Sequence, residues 1–353
     1  MSFQRNDYLG WLVPRAHSFD GSINLHASGV PALRAEDFPP APGDPWTAVR
    51  RFETALAAWL GVPDDEVLFT PGATGGTLLA LLALARPGRR IVVEAPIYEP
   101  MLRQALRLGP VDRLVRSPER AWELPLDSAR ELIGPETSLV MITEPHNPSG
   151  RFSPRDDVLT LAEHAARFGA YVLINEVYRG YSDRPSYHGL AENIVVVSSF
   201  SKLIGAYWSR LGWLSGPPAV VADLRAAHWN FGMATAPAAA IGLSIIARAD
   251  DLRTGAVDVS RQGLAVVSSW VGRTEGVSWH QPQGPGFGCL ELEARDVDDV
   301  SLAERLHREK GVLVVPGTFF EVPGALRVSW LQAGERLGEG LGLLSEALRQ
   351  RPR

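Results

Sequence analysis

The chain has a single cysteine, Cys289, which excludes an internal disulfide and any multi-cysteine metal site. It has almost no lysine: among 35 Lys plus Arg, only Lys202 and Lys310 are lysines. It lacks a positive excess, with a formal net charge of -5, so no basic field points to a nucleic-acid partner. Its longest apolar runs, residues 78–85 and 236–247, fall short of the roughly 20 residues that cross a bilayer, so no membrane partner is expected. Residues 1–7 have no apolar signal-peptide core, and a cytoplasmic location is the expectation. No Gly-x-Ser-x-Gly nucleophile elbow occurs. His26, His146 and His228 lack metal-ligand spacing, so no metal is expected, and His146 reads as a solvated loop residue.

The scarcity of lysine directs attention to the two that are there. Arginine stays protonated near neutral pH, whereas a desolvated lysine does not. A lysine kept in such a chain is a candidate neutral amine. Lys310, in Arg308-Glu309-Lys310, reads as a surface charge. Lys202 follows the apolar run Ile194-Val195-Val196-Val197 and sits among the hydroxyls of Ser198, Ser199 and Ser201. A strand-end lysine in such company suits an imine-forming nucleophile.

From about Trp46, helices alternate with short buried strands. Val49, Phe52, Leu56 and Leu60 recur at helical spacing, and Gly61 offers a C-cap. Strands are expected at 67–69, 91–93, 139–142, 171–174, 194–197 and 211–214. Helices are expected at 77–85, from near Tyr98, and at 158–168. Continuous apolar runs with helices between them define an α/β fold, a mostly parallel sheet sandwiched by helices. Beyond residue 250 a long helix (256–271), strands at 289–293, 312–315 and 325–330, and helices at 302–310 and 338–348 read as a smaller α+β domain. The expected division is an arm at 1–41 packed on the small domain, a large domain at 42–250 and the small domain at 251–353.

Polar or glycine-rich segments follow several of these strands, where ligands gather in such sheets. Gly72, Ala73 and Thr74 join a strand to a helix, so their N–H groups can cradle a phosphate. Ser199, Ser201 and Arg210 can donate to the same phosphate. Tyr98 can stack on an aromatic ring, and Asn147 and Tyr178 can donate to a phenolate oxygen. With Lys202 as the amine, the set describes a site for pyridoxal 5'-phosphate.

Asn147-Pro148-Ser149-Gly150, Asn175-Glu176-Val177-Tyr178, and Ser199-Phe200-Ser201-Lys202 with Arg210 resemble the ordered motifs of fold-type I pyridoxal-phosphate enzymes, in the class I/II aminotransferase family. Val314-Val315-Pro316-Gly317 and Leu326-Arg327-Val328-Ser329 extend the likeness. The resemblance implies a sheet of the seven-stranded type and a homodimer. It implies transfer of an amino group between an α-amino acid and a 2-oxo acid, with Lys202 as base and acid. It also makes Arg327 the ligand of the substrate carboxylate, with Asn147 and Gly29 beside the substrate.

Two positions depart from the family. Asn175 stands where an Asp usually holds a proton on the pyridine nitrogen, so the electron sink should be shallower. The segment 40–46 has no tyrosine to reach a partner's phosphate; that contact is lost or taken over by Trp46. Ala27-Ser28-Gly29-Val30 and His146 to Gly150 are similar to capreomycidine synthases, which keeps a pyridoxal-dependent lyase or cyclase as the alternative. A non-catalytic effector sensor ranks third, because no DNA-binding segment is left over.

Overall fold

The computed structural model describes residues 6–17, 22–231, 235–293, 297–332 and 334–349. The strands are β1 (Ile23–Asn24), β2 (Val67–Pro71), β3 (Arg90–Ala95), β4 (Val111–Val115), β5 (Thr137–Thr143), β6 (Tyr171–Asn175), β7 (Ile194–Ser199), β8 (Leu211–Ser215), β9 (Val277–Ser278), β10 (Phe287–Leu292), β11 (Val312–Leu313), β12 (Val315–Pro316) and β13 (Ala325–Ser329). The helices are α1 (Asp7–His17), α2 (Pro45–Leu60), α3 (Gly72–Leu84), α4 (Glu99–Leu108), α5 (Leu126–Leu132), α6 (Arg155–Ala166), α7 (Phe200–Leu203), α8 (Pro218–Phe231), α9 (Ala236–Ile246), α10 (Ala249–Val271), α11 (Asp299–Lys310) and α12 (Gly334–Arg349).

Seven strands form the large sheet in the order β2-β8-β7-β6-β5-β3-β4. Strands β4, β3, β5, β6 and β7 run parallel; β8 alone runs against them, and the edge strand β2, antiparallel to β8, points the same way as the parallel block. Strands β5 and β7 are buried along their whole length, which only a sheet covered on both faces allows. Leu79 and Leu81 of α3, Met101 and Ala105 of α4, and Leu224 of α8 cover one face. Ala129 of α5 with Leu161 and Ala165 of α6 cover part of the other.

Helix α2 shows how local chemistry sets an element. The Asp44 carboxylate accepts the Thr47 N–H at 2.9 Å, Pro45 fills the first turn, and Gly61 closes the helix at φ 72°. Its Phe52 ring lies 5.2 Å from Phe69 and 6.4 Å from Phe200. Burying that ring contributes about 2–3 kcal/mol. Gly242 of α9 permits the close approach, since a Cβ there would come within 2.6 Å of the ring.

The smaller domain carries the antiparallel sheet β12-β13-β10-β9. In its register Arg327 of β13 lies between Cys289 and Val315. Strand β1 pairs in parallel with β11. Helix α3 begins at Gly72, five residues before the 77 read from the sequence. The glycines that suggested a loop serve helix packing instead: a Cβ on Gly76 would come within 2.7 Å of Val197. No helix among the described residues is long and apolar enough to cross a membrane.

Candidate active site

Register brings the site together. Thr143, at the end of β5, pairs with Asn175 of β6, which pairs with Val197 of β7, so these carboxyl ends share one edge. A cavity of about 660 Å³ opens there. Its wall includes Gly29, Ala73, Thr74, Tyr98, Asn147, Asn175, Tyr178, Ser199, Ser201, Lys202, Arg210 and Arg327. Gly72 lies directly behind Arg210. The lysine and the cofactor- and substrate-binding residues proposed from sequence are therefore at one place.

The phosphate end fits its ligand. Helix α3 starts at Gly72 without a side-chain cap, which leaves its first N–H groups facing outward. Gly72 has φ 73°, and a Cβ there would come within 2.8 Å of Arg210 Nη2. A Cβ on Gly212 would come within 2.4 Å of Gly72 itself. Only glycine at both positions leaves this cradle open for an anion beside a guanidinium. Ser199 caps the short α7, its Oγ accepting the Ser201 N–H at 3.4 Å.

Lys202 lies on the cavity wall with Nζ 5.3 Å from the centre of the Tyr207 ring. Its backbone is pinned from the N-terminal segment. The Val30 N–H donates to the Lys202 carbonyl at 3.0 Å, and the Tyr181 hydroxyl donates to the same oxygen at 2.6 Å. Gly29 is required by this approach, because a Cβ there would meet Tyr207 Oη at 2.2 Å and Lys202 Cα at 2.7 Å. Burial, with Arg327 and Arg210 adding their charge, lowers the Lys202 ammonium from 10.5 to about 8. Burial likewise pushes the Tyr98 and Tyr178 phenols up, so both remain O–H donors at neutral pH.

Arg327 is buried. Nη1 donates to Asn147 Oδ1 at 3.2 Å, and Nη2 donates to the His26 carbonyl at 2.8 Å and to Tyr8 Oη at 3.1 Å. Its Nε is buried without a hydrogen-bond partner among the described residues. Tyr8 was not singled out in the sequence. It comes from α1, with Leu9 and Leu12 beside it on the cavity wall, and its ring stands edge-on to Tyr98 at 6.0 Å. The Glu99 carboxylate accepts the N–H groups of Asp7 and Tyr8 at 3.1 and 2.8 Å and so fixes the start of α1 against α4. No local pattern marks this contact, because Tyr8 and Arg327 are 319 residues apart.

His146 corrects its expectation. It is fully buried: Nδ1 bonds Ser149 Oγ at 2.8 Å, Nε2 bonds the Pro96 carbonyl at 3.1 Å, and its ring packs on Trp122. Burial lowers its pKa well below the usual imidazole range, so it stays neutral and structural. The side chain of Trp46 lies outside the described residues. Among the described lining residues the cations are Lys202, Arg210 and Arg327, and there is no Asp or Glu. Such a cavity attracts anions.

Comparison with known proteins agrees with this geometry. The family model for aminotransferase class I and II matches residues 44–336. The chain is 28% identical over 326 residues to the probable N-succinyldiaminopimelate aminotransferase of Mycobacterium tuberculosis, covering 83% of this chain and 77% of that protein. It is 28% identical over 306 residues to the capreomycidine synthase of Streptomyces vinaceus, covering 84% and 78%. A PLP-dependent aminotransferase from Streptococcus suis shares the fold at TM-score 0.88 and 24% identity, with 100% of both chains covered. The chain belongs to the class I and II aminotransferases, and its cofactor is pyridoxal 5'-phosphate.

Proposed function

We propose that this enzyme moves an amino group between an α-amino acid and a 2-oxo acid, with Lys202 as its attachment and proton-carrying residue, and that it works as a homodimer. The observation that carries the reading is one cavity holding a lysine whose amine is lowered to about 8 together with a buried, forked arginine. Pyridoxal phosphate, when bound, supplies an aldehyde that condenses with amines and a ring that accepts electrons. Gly72, Ala73, Thr74, Ser199, Ser201 and Arg210 would hold its phosphate, Tyr98 would lie against its ring, and Asn147, Asn175 and Tyr178 would hydrogen-bond its polar atoms. Arg327 binds the substrate carboxylate through two N–H groups, and Tyr8 and Asn147 keep the guanidinium in place. Lys202, about half neutral at pH 8, would take the proton from the substrate Cα as base and give it, as acid, to C4′, the former aldehyde carbon of the cofactor.

The capreomycidine synthase relative and Asn175 favour a second reading, elimination and ring closure on an amino acid. One experiment separates the two. Holoenzyme is incubated with single amino acids and no 2-oxo acid, and products are read by mass spectrometry with the cofactor's absorbance. Stoichiometric 2-oxo acid with conversion of the cofactor to its amine form supports transfer. An eliminated or cyclised product with the cofactor unchanged supports the second reading.

A further inference from the structure

The Asn175 amide has one orientation. Its Oδ1 accepts the Val177 backbone N–H at 3.0 Å. A backbone N–H can only donate, so the amide oxygen faces it and the NH2 group turns the other way. There Nδ2 donates to Met101 Sδ at 3.2 Å, a weak acceptor, and both residues line the cavity. A ligand atom that replaces this thioether must accept a hydrogen bond. Three other amides line the cavity. Asn147 is committed to Arg327, while Asn24 and Gln332 enter from the small-domain side.

We infer that Asn175 binds the cofactor's ring nitrogen as an unprotonated acceptor and keeps the pyridine neutral. This rests on the pyridoxal phosphate reading given above. A protonated ring nitrogen is a donor and would face the Nδ2 donors of Asn175. It would need an acceptor there, and no carboxylate, the acceptor that would stabilise its charge, is among the described lining residues. Glu176, the next residue, is turned away: its carboxylate accepts from Arg179 Nε at 2.8 Å, Ser186 Oγ at 2.9 Å and the Tyr187 N–H at 2.6 Å. Glu94 and Glu144 are buried in ion pairs with Arg116. The charged groups on the cavity wall, Lys202, Arg210 and Arg327, are all cations that oppose another positive charge. Burial keeps the phenols of Tyr98, Tyr178 and Tyr207 protonated, so they add no anion; Tyr8 and His26 are the other polar rings on the wall. A neutral ring withdraws electrons less strongly, so negative charge stays nearer the substrate Cα and removal of the Cα proton is slower. Replacing the neutral hydrogen bond by a charge-assisted one should speed that step about tenfold.

The test uses protein reconstituted with pyridoxal phosphate carrying ¹⁵N in the ring. Borohydride reduction and peptide mapping of one portion first establish attachment at Lys202. Nitrogen NMR of the rest then reads the ring. The expected result is a neutral-pyridine resonance in the wild type, a pyridinium resonance in Asn175→Asp, and about tenfold faster Cα-deuterium exchange in that variant. The Asp variant keeps an oxygen for the Val177 N–H, and a pyridinium resonance in the wild type overturns the inference even if the variant does not fold. A pyridinium signal in the wild type, or identical signals in both proteins, overturns the inference while leaving the cofactor reading intact. No label at Lys202 overturns both.

Discussion

Burial beside two guanidiniums sets the working pH of Lys202. A free lysine amine near 10.5 is almost wholly protonated at neutral pH, and only the neutral form attacks an aldehyde. With its value lowered to about 8, the apoprotein should capture pyridoxal phosphate at a rate that rises with pH, is half-maximal near pH 8 and then levels off. Stopped-flow absorbance from pH 6 to 10 checks this. A rate still climbing steeply at pH 10 would mean that the pocket does not perturb the amine. Arg327 makes a different demand, for shape as well as charge. Arg327→Lys keeps one positive charge but cannot reach Asn147, Tyr8 and a carboxylate together. It should lower kcat/KM about 100-fold, a loss of roughly 2–3 kcal/mol, while cofactor affinity changes less than threefold. Equal losses in both would make Arg327 a structural residue.

At the scale of elements, the loop after β5 depends on an ion-pair cluster beneath it. Arg116 Nη2 donates to Glu144 at 2.9 Å and Nε faces Glu94 at 3.1 Å, with all three side chains fully buried. Glu144 also accepts the Ser153 N–H at 2.9 Å, and the chain between them carries Asn147. Burial pushes the Glu94 carboxyl up to about 8 despite Arg116. Arg116→Met removes the shared cation and should cost about 3–5 kcal/mol in urea unfolding. An unchanged midpoint would show that the carboxylates find other partners. Which elements were legible in the sequence follows the same physics. Strands β5, β6 and β7 stood out because both sheet faces are covered, which writes continuous apolar runs. Strand β4 did not, because at the sheet edge its first three residues are only half-buried and no run forms. Helix α1 carries Pro14 and takes its N-terminal support from Glu99, 91 residues from Tyr8, so its short local pattern did not mark it as a helix. The strand-end residues of the site were readable because their types and order are chemical necessities. Tyr8 was not, because only the folded chain brings it to Arg327.

For the whole molecule, the large-sheet side brings Gly72 and Lys202, and the small domain brings Arg327, to the one proposed site. Helix α1 ties the two, held by Glu99 of α4 at one end and, through Trp11 Nε1 and Arg15 Nη2, by Glu304 of α11 at the other. At this scale the homodimer is the proposal to test. Light scattering should give twice the 38.4 kDa chain mass. A fully active monomer would contradict it. In the proposed function Lys202 is the point on which cofactor, substrate and proton transfer all meet, so its modification is the most direct measurement. Borohydride reduction of the holoenzyme followed by peptide mapping should place a single pyridoxyl group on Lys202, and Lys202→Arg should abolish both the label and turnover. A label on Lys310, or none, would contradict the assignment of the site.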